Sequence, residues 1–273
     1  MSDAQTLVPR EGWHVLHLYY RVDRAAWGDL PESDRAGRAV DFVVTVNGLA
    51  ADEGLQLIPL AVVGPKADLG FMVIGADLHV VQAAEKRLQN ALGPGLLAPA
   101  FGYLSLTEQS EYTTTETEYA AQVVAEKGLA EGSPEFDAAL AEFRARMAKY
   151  RKDKLNPVLP PWPVLCFYPM SKRRSAAANW YALPFDTRKR LMAGHARVGR
   201  KWAGKILQLI TGSTGLDAME WGVTLLAHDT AEIKAIVYEM RFDPVSAEYA
   251  EFGDFYIGLR LEPLEILKRL ALV

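Results

Sequence analysis

The chain repeats itself, and that repetition limits its fold more than any other feature. Leu30-Pro31 returns at Leu183-Pro184, and Leu55-Gln56-Leu57-Ile58 returns at Leu207-Gln208-Leu209-Ile210. Asp77 returns at Asp229 and Tyr103 at Tyr256, so that every marker recurs 152 or 153 residues later. Four markers at one spacing indicate an internal duplication of a unit large enough to stand as a domain.

Both copies carry the same alternation of elements. In the first, residues 13–23 are aromatic and β-branched enough to form a strand. Pro31 opens a helix whose apolar face is Ala39, Val40, Phe42, Val43 and Val46. Strands follow at 55–63 and 70–75, with the turn residues Gly64-Pro65 between them. Asp77 caps a second helix reaching about Leu92, and 98–106 is the last strand. The second copy repeats the pattern with strands at 164–170, 206–211, 220–227 and 255–261, and with helices after Pro184 and over 230–240. The order βαββαβ specifies a ferredoxin-like unit. The expected fold class is therefore α+β, with one ferredoxin-like domain at 1–110 and another at 164–273. Between them, residues 111–163 form a charged, proline-rich connector with a helical segment at 134–152.

Composition narrows the function classes. Half of the 273 residues are hydrophobic, which supports a folded globular protein, and the formal net charge of -4 gives no global attraction for nucleic acid. A single cysteine, Cys166, rules out an internal disulfide and every multi-cysteine zinc pattern. Its neighbours Leu165, Phe167 and Tyr168 place it on a buried strand. The opening Met1-Ser2-Asp3-Ala4-Gln5 lacks the pattern of an export signal, and no apolar run approaches the roughly 18 to 20 residues of a membrane helix. A soluble cytoplasmic protein without integral membrane contact is expected.

The two copies differ in chemistry. Where the second has Tyr168, Lys172 and His195, the first has Leu16, Tyr20 and Phe42 or Val43. Tyr168, Met170 and Lys172 alternate along a strand and so share a face. His195 has Leu191 and Gly199 four residues to either side, so it lacks a chelating partner, yet a haem iron needs only one protein nitrogen. Cations crowd the same stretch: Lys172, Arg173, Arg174, Arg188, Lys189, Arg190, Arg197, Arg200, Lys201 and Lys205. They fit either a solvated helix face or a pocket for a ligand with several carboxylates. Gln208 is a neutral polar residue between apolar strand neighbours. His14 and His17 lie on opposite strand faces, and His79 and His228 stand at helix starts without ligand-like company, so all four read as structural.

The segments Tyr168-Pro169-Met170-Ser171-Lys172, Asn179-Trp180-Tyr181, His195 with Gly199-Arg200, Ala203-Gly204-Lys205, Gln208, Glu220-Trp221-Gly222-Val223-Thr224-Leu225 and Glu239-Met240-Arg241-Phe242-Asp243, continuing through Ser246-Ala247, Tyr249 and Glu251-Phe252-Gly253, resemble the coproheme decarboxylases. These are the peroxide-dependent haem synthases of the chlorite dismutase superfamily. The match is dense from Cys166 to about Gly258 and thin over the first copy. The resemblance implies two ferredoxin-like domains that form a dimeric α/β barrel subunit, a homopentamer, and porphyrin held only in the second domain. It implies that iron coproporphyrin III (coproheme) is substrate and redox centre, hydrogen peroxide the oxidant and haem b the product. It also implies His195 as proximal iron ligand, Tyr168 as catalytic tyrosine, and Gln208 as the distal residue where chlorite dismutases carry arginine. Lys172, Arg241 and Ser246 match propionate-holding positions, Met170 of the same motif is taken as a further cofactor contact, and Lys172 and Gln208 join Tyr168 as candidate catalytic residues. Lys154-Leu155-Asn156-Pro157-Val158-Leu159-Pro160 parallels a family segment Arg-Leu-Tyr-Pro-x-Leu-Pro, with departures at Lys154 and Asn156; it makes Lys154 a further candidate propionate contact. A chlorite dismutase or haem peroxidase, and a non-enzymatic haem carrier, stay open as alternatives.

Overall fold

The computed structural model describes residues 6–273; residues 1–5, on which the expectation of no export signal rests, lie outside the described residues. In the first copy the order is β1 (His14–Val22), α1 (Arg24–Gly28), α2 (Glu32–Ala50), β2 (Leu55–Val63), β3 (Leu69–Gly75), α3 (Leu78–Gln89) and β4 (Leu97–Thr107). An intervening pair follows, α4 (Glu116–Lys127) and α5 (Pro134–Leu155). The second copy contains β5 (Val164–Lys172), a 3-10 turn (Trp180–Ala182), α6 (Phe185–Arg200), β6 (Ile206–Gly212), β7 (Trp221–Ala227) and α7 (Thr230–Met240). It ends with α8 (Pro244–Tyr249), β8 (Ala250–Phe252), β9 (Tyr256–Arg260) and α9 (Pro263–Arg269). The architecture is mixed α+β around a nine-stranded antiparallel sheet.

The repeat markers do the same local work in both copies. Pro31 and Pro184 are the N-cap residues of α2 and α6, with φ of -54° and -56° that lead directly into a helix. Asp77 and Asp229 cap α3 and α7, each accepting a backbone N–H from His79 and Ala231 respectively. The short elements α1, α8, β8 and α9 were not expected, because so few residues carry too little periodicity to be read. Their ends are nevertheless marked: Asp23 and Asp243 cap α1 and α8, and Pro244 and Pro263 open α8 and α9.

The sheet runs β7-β6-β4-β1-β3-β2-β9-β5-β8, and an additional β7–β5 pairing closes it on itself. Thus the two copies share one ring of strands, joined at β4–β6 and β2–β9. Alternation divides the side chains. Leu18, Tyr20 and Val22 of β1 pack outward against α2 and α3, while Cys166 and Tyr168 of β5 pack outward in a second cluster with Ile233 and Ile236 of α7. The intervening residues meet inside the ring: His17 stacks on Phe167 at 3.9 Å between ring centroids, and Tyr19 on Tyr256 at 4.2 Å. His17 Nε2 is bonded to Thr224 Oγ1 at 2.9 Å, and complete burial lowers its pKa to about 3. His14 meets the Ala76 carbonyl instead, on the other face of β1.

Residues 108–159 form a compact unit of their own, distinct from the unit made by residues 1–107 and 160–273. Thr115 and Glu118 close a capping box on α4, and Ser133 caps α5 ahead of Pro134. Val123, Phe136 and Leu140 make its small core, beside a Tyr119–Phe143 stack at 4.2 Å. No described helix is long and apolar enough to cross a membrane.

Candidate functional site

Three neighbouring strands, β5, β7 and β6, supply the floor. Register aligns Tyr168 with Val223 and Val223 with Ile210; one row away, Cys166 aligns with Leu225 and Leu225 with Gln208. Tyr168 and Gln208 therefore share the face under α6 and α7, two strands or roughly 10 Å apart. Tyr168 is buried against Phe255, with ring centroids 4.3 Å apart, and its hydroxyl makes no hydrogen bond among the described residues. Burial raises its pKa well above the usual phenol range, reinforced by Cys166 and opposed by the Arg241 guanidinium. Tyr168 thus holds its proton at neutral pH.

Helix α6 supplies the roof, and two positions on it are unusual. His195 and Gly199 fall at the helix positions that Phe42 and Val46 occupy in α2, counted from the shared proline cap. Phe42 and Val46 are fully buried, whereas α6 has no fully buried residue. His195 Nδ1 lies 2.7 Å from Asp243 Oδ2. The same oxygen accepts the N–H groups of Val245 and Ser246, so the α8 cap also orients the imidazole. With Nδ1 donating to the carboxylate, Nε2 keeps its lone pair and can bind a metal.

Cations gather at the β5 end of this face. Lys172 is buried, 4.5 Å above the Trp180 ring, and forms no ion pair among the described residues. Burial lowers its pKa to about 8, opposed by Asp243 and Glu220. The Arg241 guanidinium sits 3.9 Å over Phe252, whose ring is 5.8 Å from Tyr168. Arg241 also lacks an ion-pair partner among the described residues. A buried ammonium without an ion pair, with the solvent-exposed Arg241 guanidinium near by, suits a ligand that brings its own carboxylates.

Tyr168, Met170, Lys172, His195, Gln208, Arg241 and Ser246 thus come from one face of the sheet, from α6, and from the turn and short helix that follow α7. Lys154 belongs to the separate 108–159 unit, where its ammonium lies 6.0 Å from the Tyr150 ring. Most cations of α6 and of the turn after it are solvated, whereas Arg188 is half-buried on the His195 side and donates to the Leu183 carbonyl at 2.9 Å. Arg190, Arg197, Arg200, Lys201 and Lys205 are exposed, and Lys201 pairs with Glu239 at 2.8 Å. Counted at about 100° per residue, Arg190, Arg197, Arg200 and Lys201 fall on the side of the helix opposite His195. Sequence reading assigned no role to Asp243, Glu220 or Trp180. Glu220 accepts the Lys172 N–H at 2.8 Å, pinning the strand end that carries the buried ammonium. The Asp243-Pro244 pair, a helix-start signal, was the available clue to Asp243.

The arrangement fits an iron porphyrin bearing propionates: one oriented imidazole, a roof without the side chains that fill its counterpart, and free cations at one edge. A profile of the family described as chlorite dismutase matches residues 33–261. A solved structure of a haem-binding protein from Thermus thermophilus is 34% identical, with a TM-score of 0.76 and coverage of 97% of both chains. A chlorite dismutase variant from Candidatus Nitrospira defluvii shares the fold at a TM-score of 0.70 and 18% identity, covering 96% of this chain and 97% of that one. Among curated relatives, one from Natronomonas pharaonis is 37% identical over 271 residues, and one from Halobacterium salinarum 39% over 260. Both carry the provisional description of haem-binding protein. The alignments cover 97% and 94% of this chain but 42% and 49% of those relatives, so the chain spans about half of their length or less.

Proposed function

The chain belongs to the chlorite dismutase family, and from that premise we propose that it is a coproheme decarboxylase, converting two propionates of iron coproporphyrin III to vinyl groups with hydrogen peroxide to give haem b. The observation that carries this reading is Tyr168, a protonated phenol without a hydrogen-bond partner among the described residues, lying beside the unpaired Arg241. Coproheme is the substrate and, with peroxide, supplies the oxidising power that takes an electron and a proton from Tyr168. His195 holds the iron through Nε2, and Asp243 keeps that imidazole in the tautomer that can do so. Lys172, Arg241 and Ser246 fix a propionate so that its β-carbon stands within reach of the Tyr168 oxygen. Tyr168 removes a hydrogen atom from that carbon. Loss of CO2 and one further electron leaves the vinyl group, so each propionate consumes one peroxide and releases CO2 and two waters.

Gln208, being uncharged, favours this chemistry over chlorite conversion, where a cation would steady the anion. We read residues 1–110 and 164–273 as ferredoxin-like domains, only the second holding porphyrin, within a cytoplasmic homopentamer. Residues 111–163 are the connector. Mass spectrometry of bound coproheme during peroxide titration tests the proposal. Two successive carboxyl losses are expected from the native chain and none from Tyr168→Phe, with porphyrin binding retained. Full turnover by Tyr168→Phe rejects the tyrosine's role. An unchanged mass with the native chain indicates a carrier, and oxygen release from added chlorite indicates the dismutase.

A further inference from the structure

Gly199 is where the roof comes closest to the floor. A Cβ built there would stand 3.1 Å from Gln208 Nε2, 3.9 Å from Gln208 Oε1 and 3.4 Å from Met240 Cε. The Gln208 amide makes no hydrogen bond among the described residues, and it lies beside the space that a side chain at position 199 would take. The equivalent helix position in the first copy is Val46, whose side chain is wholly buried. Gly199 is the last-but-one residue of α6, one turn beyond His195. A Cβ at Gly194, inside the same helix, would meet nothing within 4 Å, so the close approach belongs to position 199.

We propose that Gly199 is a positioning residue for Gln208: the missing methyl makes a berth for the amide at the end of the α6–sheet space, holding it clear of the row Tyr168–Val223–Ile210. A methyl at 199 has a flexible amide as its nearest neighbour, so the amide is the group that yields, and it turns toward the ligand space. This rests on the proposed porphyrin site for its functional meaning, but its geometry can be read without porphyrin.

The first measurement uses the porphyrin-free chain. The Gln208 side-chain amide signals, identified by their loss in Gln208→Ala, are expected to shift in Gly199→Ala while the melting temperature does not fall. Unmoved signals overturn the proposal whatever the chain binds. The second measurement uses the coproheme complex. Gly199→Ala is expected to alter the ferric spectrum as Gln208→Ala does and to slow the peroxide reaction about tenfold through kcat. The same substitution in a Gln208→Ala background should add nothing. An equal loss in that background means that Gly199 acts through Met240 or the helix backbone, and overturns the proposal. A native chain that binds no coproheme defeats the porphyrin reading instead and leaves the amide-signal result to decide this one.

Discussion

Helices α2 and α6 begin after equivalent prolines and occupy equivalent places in the two copies, yet they are anchored differently. Ala39, Phe42, Val46 and Leu49 of α2 are buried, and each fully buried large side chain contributes about 1.5–3 kcal/mol. No residue of α6 is fully buried; it is tied by the polar contact of His195 to Asp243, and the turn after it by Lys201 and Trp202, both bonded to Glu239 at 2.8 Å. Duplication thus lets one copy serve as the rigid partner while the other gives up packing over the proposed binding space. Local stability is low where a ligand must enter. The shared ring of strands, closed at both seams, lets the firmer copy support the looser one.

The contrast can be broken at its strongest point first. Phe42→Ala is expected to cost about 3–5 kcal/mol of stability by leaving a cavity in the first copy. Val198→Ala on α6 should cost about 1 kcal/mol or less. Denaturant unfolding of both variants measures the difference, and equal losses would mean that α6 is packed as firmly as α2.

A smaller effect sharpens the electrostatic half of the comparison. The first copy has Tyr20 where the second has buried Lys172, whose pKa is lowered to about 8 in the folded chain. The ammonium is lost as pH rises through that value, so coproheme affinity should fall roughly tenfold or more between about pH 7 and 9 as one charge-assisted bond is withdrawn. Lys172→Met should bind weakly and show a flatter profile. The sign for folding is opposite: the unfolded chain binds more protons between about 8 and the ordinary lysine value of 10.5, so this group's contribution to stability rises with pH across that window. Titrations of affinity and of unfolding free energy against pH check both directions.

Much of this was legible in the sequence because it is local. Proline and aspartate caps, strand alternation and the spacing between copies set element positions to within a few residues, and the change from an apolar residue to His195 marked the altered helix. The closure of the ring was not legible. The β4–β6 ladder pairs Leu106 with Gly212 and Thr107 with Thr211, and such short long-range pairings leave no periodic trace. The Asp243 bond to His195 spans 48 residues and depends on where α8 lands. The cations of α6 look like part of the site when counted by composition. Their angular position turns most of them outward, while Lys172 and Arg241 stand on the site face without an ion pair among the described residues.

The most direct test is a titration of ferric coproheme into the native chain and into His195→Ala, followed by optical and electron paramagnetic resonance spectra. The native chain should show a saturable single-site complex with an imidazole-ligated iron, and His195→Ala should lose that ligation while remaining folded. An imidazole signature that survives in His195→Ala would contradict the assignment of the second copy's roof as the porphyrin site.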